Sequence, residues 1–173
     1  MNEQHIGASL LQRAKAILLQ PREEWSVIEG EASSIASLYK SYIMPLAAIG
    51  PVAGFIHAVV FGNSFFGITH RPSFLSALST AVVSYIFTLI GVFLMALVID
   101  FLAPRFGGTA NRNNAFKLAA YSATAAWVAG AFQLIPGLGM LGILGLYGLY
   151  LLFVGIPVMM KAPEDKAVIY TVA

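Results

Sequence analysis

The residues of this sequence that could carry out acid-base chemistry are few and lie far apart. The histidines are His5, His57 and His70, and Asp100 is the one carboxylate at the end of a long apolar run. A histidine or carboxylate inside a membrane is typical of a proton or ion pathway. The simpler interpretation is that His57 hydrogen-bonds a neighbour and that Asp100 forms an ion pair with Arg105 at the membrane surface. For both residues the two interpretations stay open.

Known catalytic and metal-binding motifs are absent from the sequence. It contains no G-x-x-x-x-G-K-[ST], no H-E-x-x-H and no G-x-S-x-G, and its acidic residues do not cluster at metal-ligand spacing. There is no cysteine, so disulfides and thiolate sites are excluded. The net charge of +2 comes from dispersed residues and forms no basic patch. We therefore predict no catalytic residue, no cofactor, no metal and no nucleic-acid partner.

The composition indicates a membrane protein, with 58% hydrophobic residues, 10% charged residues and a mean hydropathy of +0.79. Each of its uncharged runs is at least as long as the roughly 20 residues with which a helix crosses the bilayer core; they are Ser41–His70, Pro72–Ile99 and Leu118–Met160. Gln133 and Pro136 divide the third run in two. The runs are apolar on every side, which excludes a barrel of alternating strands. We predict an all-α bundle with four spans at about 41–61, 74–99, 116–135 and 138–160.

The lysines and arginines fall almost entirely on one side of these predicted spans. Four precede the first span, three lie in the second loop and two follow the fourth span, whereas Arg71 alone lies in the other loops. The positive-inside rule places the N-terminus and the second loop in the cytoplasm. Residues 1–40 are polar and charged, unlike a signal peptide, so the chain divides into this segment and a transmembrane domain, 41–173.

The N-terminal segment has the pattern of helices that lie in the membrane interface. One apolar arc is formed by Ile6, Leu10, Leu11, Ala14, Ile17 and Leu18. Pro21 suits the first position of a second helix, and Trp25 on that helix suits an anchor at headgroup level. The alternative is that these helices dock a protein partner.

Glycine recurs every third residue at the start of the last predicted span, at Gly139, Gly142, Gly145 and Gly148. Each glycine costs about 1 kcal/mol relative to alanine in a soluble helix, but small residues allow close helix packing in lipid. Positions three apart drift around an α-helix, so we expect a broad smooth face. Packing within the bundle is the simpler interpretation, and dimerisation through this face is the alternative.

The same span carries Tyr147 and Tyr150 one turn apart, followed by Pro157. The tyrosine hydroxyls would bridge neighbouring helices or line a binding crevice. Pro157 removes one backbone donor and is expected to kink the last turns.

Four segments in this order resemble the Yip1 family of polytopic membrane proteins in its bacterial form. They are "QPREEWSVIEGE", "SYIMPLAAIGPVAGFIHAVVFG", "DFLAPRFGGTANRNNAFKLAAYSATAAWVAGAFQLIPGLG" and "LYGLYLLFVGIPVMMKAPEDKAVIYTVA". The most specific parts are the proline followed by Phe-Gly-Gly and an asparagine, and the Leu-Tyr-Gly-Leu-Tyr to Met-Lys-Ala-Pro segment. The resemblance implies a five-helix domain in the cytoplasmic (inner) membrane, with a cytoplasmic N-terminus and no known catalytic activity. Eukaryotic members associate with small GTPases of the Rab class and with one another.

The resemblance also implies a fifth span, which would start near residue 167 in "AVIYTVA". Because this segment ends at residue 173, we expect either that the fifth span is interrupted here or that this member closes its bundle with four helices.

Three classes of function follow from these observations. The first is a non-enzymatic membrane scaffold or adaptor that binds membrane lipids, a membrane-protein partner or a second copy of itself. The second is a small transporter or channel that uses Asp100 and His57, and the third is a lipid-handling membrane protein. The candidate residues for contact with a partner or the membrane are Pro21, Trp25, Asp100, Arg105, Gly107, Gly108, Asn113, Lys117, Tyr147, Tyr150, Pro157 and Lys161.

Overall fold

Three helices in the described part of the chain are long and apolar enough to cross a membrane. They extend over Ile35–Val60, Phe74–Phe106 and Leu138–Met160. The structure is a computed structural model that describes residues 9–65 and 68–172, so His5 and Ile6 lie outside it. The first, second and fourth predicted spans correspond to these helices, whereas the third, at 116–135, does not appear among them.

The N-terminal segment forms two helices, α1 (Ser9–Leu19) and α2 (Pro21–Gly30). Pro21 starts α2, and its first turn carries Glu23 and Glu24, where carboxylates complement the helix dipole. The apolar stripe of α1 packs on the bundle through the buried side chains of Ala14 and Ile17. Placement of α1 in the membrane interface stays a prediction.

The first candidate span is a series of short helical segments with one axis. It consists of α3 (Ile35–Leu38), a π-helical turn (Tyr39–Ile43), α4 (Met44–Ala47) and α5 (Ile49–Val60). Pro45 and Pro51 have no N–H to donate to the carbonyls one turn earlier, and the irregularities occur beside them. In the π-helical turn, Met44 N–H donates to Tyr39 O instead.

The second candidate span is the longest helix, α6 (Phe74–Leu102), which continues as a 3-10 turn (Ala103–Phe106). A short antiparallel hairpin of β1 (Asn63–Phe65) and β2 (Ile68–His70) connects α5 to α6, with Asn63 opposite His70. Ser73 caps α6 by accepting a hydrogen bond from Ser76 N–H. Apart from a narrow buried strip, the apolar side chains of α6 are exposed.

The centre of the bundle is formed by α7 (Arg112–Ser122), α8 (Thr124–Ala129) and a 3-10 segment (Gly130–Leu134). Every residue from Ala115 to Ser122 is buried. The structure therefore does not confirm the third predicted span, because the helix is interrupted at Ala123 and its first turns contain a lysine. Lys117 belongs to α7 and not to a cytoplasmic loop.

The last candidate span begins as a 3-10 helix (Leu138–Leu146) and continues as α9 (Tyr147–Met160), which contains Pro157. A 3-10 helix has three residues per turn, so glycines spaced by three lie on one line instead of drifting. A Cβ atom at Gly145 would lie 3.1 Å from Ala126 Cα, and one at Gly148 would lie 2.7 Å from Ser122 O. These two glycines permit contact with α7 and α8, which supports packing within the bundle.

Residues after α9 form a further short helix, α10 (Glu164–Val172), and the predicted start of a fifth span falls within it. Tyr170 anchors α10, because its hydroxyl donates to Ile99 O and its ring stacks on Phe106 at 5.0 Å. Lys161, in the left-handed conformation at φ 55°, turns the chain between α9 and α10.

Candidate functional site: a charged cleft beside the N-terminal helices

Charged side chains from α1 and α2 meet a lysine of α7 at one end of the bundle. The Arg13 guanidinium pairs with the carboxylates of Glu24 and Glu31. Lys117 is only 2% exposed, and its Nζ donates to Ile28 O at 2.8 Å and to Glu31 O. These contacts join the N-terminal helices to the most buried helix of the bundle.

Lys117 acts as a side-chain cap for the C-terminus of α2. The last carbonyls of a helix have no partners within the helix, and the helix dipole makes this end partially negative. An ammonium group placed there satisfies the Ile28 and Glu31 carbonyls and is itself compensated by their partial charge. This explains how a lysine is accommodated in the interior.

Arg13 remains fully charged in this environment. Burial is the largest single influence and lowers the pKa of Arg13, but the carboxylates of Glu31 and Glu24 together outweigh it, and the net shift of the pKa is upward. Charge-assisted hydrogen bonds of this kind are roughly twice as strong as neutral ones. Arg13 therefore fixes α1 to both ends of α2.

The charged residues border a cleft of about 570 Å³ between α1, α2 and the start of the first candidate span. Its walls carry hydroxyls at Ser33, Ser37, Ser41, Tyr42 and Tyr121, together with Gln12. The volume lies in the range of small-molecule and peptide pockets. The arrangement can hold a ligand by hydrogen bonds, while its charges compensate each other. As far as the chain is described, no three His, Cys, Asp or Glu side chains come together to hold a metal ion.

Trp25 lies inside the protein and not at headgroup level, so the predicted anchor role of this side chain is wrong. It is 0% exposed, its Nε1 donates to Leu151 O at 3.1 Å, and its ring meets Tyr121 edge to face at 6.3 Å. Gly155 provides the space, because a Cβ atom there would lie 2.6 Å from Trp25 Cε2. Pro21 is also buried.

The second loop is fixed to the end of α9 by backbone contacts. Gly107 ends the 3-10 turn in the left-handed conformation at φ 80°. A Cβ atom at Gly108 would lie 2.7 Å from Met160 O, and Thr109 N–H donates to the same oxygen at 2.7 Å. Both glycines of the predicted loop motif therefore have structural roles.

Two asparagines that the sequence analysis did not select hold the start of α7. Asn111 accepts a hydrogen bond from Asn114 N–H as the N-terminal cap, and Asn114 Nδ2 donates to Met159 O at 2.9 Å. The selected residue, Asn113, is half-buried between them. An asparagine just before an apolar helical pattern is a recognised start signal and could have identified Asn111.

Asp100 and Arg105 do not form the predicted ion pair in the described structure. The Arg105 guanidinium lies over the Phe101 ring, 4.3 Å from its centroid, as a cation–π contact. Asp100 Oδ1 is buried and has no hydrogen-bond partner among the described residues.

His57 and Asp100 lie at opposite ends of the bundle. Phe55, next to His57, touches Phe74 at the start of α6, with ring centroids 5.5 Å apart. Asp100 is near the end of the same helix. At 1.5 Å per residue, Asp100 lies roughly 39 Å from Phe74 along the helix axis. The structure does not bring these two residues together.

The remaining candidates connect the N-terminal helices to the last span. Tyr147 donates to Leu18 O at 3.1 Å, and its ring lies 5.3 Å from that of Tyr150. Lys161 pairs with Glu29. Tyr147 thus bridges helices, one of its two predicted roles. Because it lies near the middle of Leu138–Met160, the end of α1 reaches well along this span.

Comparison with known proteins agrees with this architecture. The family model described as "Yip1 domain" matches residues 15–173, which include α2, all three candidate spans and the residues of the cleft other than Leu10, Gln12 and Arg13. No curated protein and no solved structure matches the chain. The chain is therefore a membrane protein that belongs to the Yip1 domain family.

Proposed function

We propose that this protein is a non-enzymatic membrane scaffold or adaptor, and that it binds a protein partner through the surface formed by α1, α2 and the second loop. The observation that supports this most strongly is the attachment of α2 to the bundle by Lys117 and Trp25. A surface fixed in this way presents its charged side chains in one arrangement, which lowers the entropic cost of binding.

The proposed surface is continuous and carries exposed charge. Glu29 of α2 pairs with Lys161, and the neighbouring Met160 carbonyl accepts the Thr109 N–H of the second loop. The exposed cations around these contacts are Lys15, Arg22, Arg105, Arg112 and Lys166. The same elements also expose the carboxylates of Glu23, Glu31, Glu164 and Asp165, so the surface offers both signs of charge. In the second loop, where Arg105 and Arg112 are exposed, complementary charge favours acidic side chains of the partner.

The proposal includes a fourth membrane crossing and an orientation. Segment 112–134 is about 37 Å long if its α-helical and 3-10 parts share one axis, which exceeds the hydrocarbon core of about 30 Å. The first two candidate spans place the N-terminus and the second loop on the same side, and the extra crossing returns the residues after α9 to that side as well. The excess of cations there places this side in the cytoplasm and the protein in the cytoplasmic membrane.

The transporter hypothesis has less support, because His57 and Asp100 are separated by the length of α6. Residues that form a membrane pathway are expected to follow one another across the bilayer.

The test is partner capture from the protein's own membranes after mild extraction of the tagged full chain, with stoichiometry read by native mass spectrometry. The charge-reversed variant Arg105→Glu/Arg112→Glu should lose a stoichiometric partner that the unchanged protein retains. Arg71→Glu is the matched control, since Arg71 is exposed in the loop at the other end of the bundle. Equal capture by all three proteins would contradict the proposed surface.

A further inference from the structure

A second cavity lies between α5, α6 and the end of α8, far from the charged cleft. Its volume is about 520 Å³, within the range of ligand pockets. Gly50 and Gly54 form one wall, and the opposite wall on α6 presents three hydroxyls spaced by four residues, those of Thr80, Ser84 and Thr88. Four residues is about one helical turn, so these hydroxyls face the same side.

A third cavity of about 400 Å³ adjoins it, and both have Gly54 and Gln133 in their walls. The Gln133 amide lies against Gly54, where a Cβ atom would be 3.1 Å from Gln133 Oε1. His57 also faces the third cavity, and its Nδ1 is buried without a hydrogen-bond partner in the described part of the protein.

The buried and unpaired His57 Nδ1 indicates that a polar group belongs in this space. Leaving a buried donor or acceptor without a partner costs the desolvation energy of that group, and native structures rarely do so. Gln133 is exposed and so carries no such cost, but its side-chain amide makes none of the hydrogen bonds found between described residues, which leaves its donors and acceptor available to a ligand.

The chemistry of the walls restricts what could bind. Among the described residues, neither cavity is lined by a lysine, arginine, aspartate or glutamate. The polar groups are an amide, an imidazole and hydroxyls, and the remaining surface is apolar, including Phe55 and Trp127. A charged headgroup would lose its hydration here without an ionic partner, which is costly. A neutral head with hydroxyl groups would find both donors and acceptors.

The position of the cavities indicates that the ligand comes from the membrane. The second cavity lies between two of the candidate membrane-spanning helices, Ile35–Val60 and Phe74–Phe106, and the third lies between the first of these and the start of Leu138–Met160. Beside the hydroxyl row, α6 exposes large apolar side chains, such as Phe87 at 69%, to the surrounding lipid. Acyl chains of a bound lipid would continue along this surface.

We propose that these adjoining cavities bind the neutral, hydroxylated head of a diacyl lipid, with Gln133 as the central hydrogen-bonding group. The site is independent of the proposed partner surface and lies at the other end of α5 and α6.

The experiment uses the full chain in phosphatidylcholine vesicles that contain a photoactivatable diacylglycerol, followed by mapping of the labelled peptides. Label is expected on α5, α6 and residues 130–139. Excess unlabelled diacylglycerol should compete, whereas phosphatidic acid with the same acyl chains, and free glycerol, should not. Equal competition by phosphatidic acid would overturn selection of a neutral head, and competition by glycerol would overturn a membrane source.

Two variants test the residues, each with a matched control. Gln133→Leu should weaken labelling about fivefold, the effect of one or two lost hydrogen bonds, whereas Gln20→Leu on the exposed surface should not. Ser84→Phe fills the cavity from an exposed position and should reduce labelling about tenfold or more, whereas Ser79→Phe, outside the cavity walls on α6, should not. Unchanged labelling in the folded Ser84→Phe protein would overturn the proposal.

Discussion

Helices α6 and α7 are adjacent in the bundle and use their side chains in opposite ways. Helix α6 is apolar nearly all round and leaves most of that surface exposed, with Leu75 at 72% and Phe87 at 69%. Helix α7 is shorter and less apolar, yet it buries every residue from Ala115 to Ser122, including a lysine. Lipid covers apolar side chains as well as protein does, so packing inside a membrane bundle selects small and hydrogen-bonding residues. Burial in this protein therefore follows packing and hydrogen bonding more than hydrophobicity.

The largest expected effect comes from filling the space beside α7. Gly155→Val would place atoms where a Cβ alone lies 2.5 Å from Leu118 Cδ1 and 2.6 Å from Trp25 Cε2. We expect the free energy of unfolding in mixed micelles to fall by about 3 kcal/mol. The matched control is Gly91→Val on α6, where nothing lies within 4 Å of the added Cβ and the loss should be small. Similar losses of unfolding free energy for the two variants would contradict the claim that packing beside α7 is tighter than packing beside α6.

Replacement of the buried lysine is the next largest effect. Lys117→Met keeps the length of the side chain but removes the donor to the Glu31 carbonyl and leaves Ile28 O with only the long 3.3 Å hydrogen bond from Glu31 N–H. We expect a loss of about 2 kcal/mol and faster amide hydrogen exchange in α2 than in the unchanged protein. Lys15→Met, on the exposed side of α1, should change neither quantity. If α2 keeps its protection without Lys117, the capping role is refuted.

Trp25→Phe should have a smaller effect. The change removes the hydrogen bond from Nε1 to Leu151 O but keeps most of the ring contact with Tyr121. We expect the unfolding free energy to decrease by about 1 kcal/mol. The same unfolding titration in mixed micelles measures it, and unchanged or increased stability would contradict a stabilising hydrogen bond from the indole N–H.

The smallest effect is expected on the lipid-facing side of α6. Leu94 is 54% exposed, so its side chain would contact lipid in the unfolded protein as it does in the folded one. Leu94→Ala should therefore change the free energy of unfolding by less than about 0.5 kcal/mol. Leu118→Ala on α7, where the side chain is 0% exposed, provides the comparison and should cost about 3 kcal/mol. Equal losses would show that α6 is covered by protein in the membrane.

The second predicted span, 74–99, was found because α6 is continuously apolar and contains no proline. The third predicted span is not among the candidate spans, and the partners of Lys117, the carbonyls of Ile28 and Glu31, lie 89 and 86 residues away in the chain. Without the fold, a lysine in that position can only be interpreted as the edge of a span.

The candidate site shows the same limit. The pattern around Trp25 predicts a helix with one apolar side. It does not determine whether that side contacts lipid or other parts of the protein, such as Leu151. The glycine repeat is visible in the sequence, but the direction in which the glycines face depends on the number of residues per turn. Only the 3-10 segment has three residues per turn, so that glycines three apart align there.

The central claim is that α2 is built into the bundle, with Trp25 covered by protein and not by lipid. Trp25 tests it directly, since the chain has two tryptophans and Trp127→Phe leaves Trp25 as the only one. In vesicles of brominated lipid, the account predicts that Trp25 fluorescence is barely quenched, whereas a tryptophan placed by Phe87→Trp in a protein lacking both native tryptophans is strongly quenched. Strong quenching of Trp25 would contradict the account.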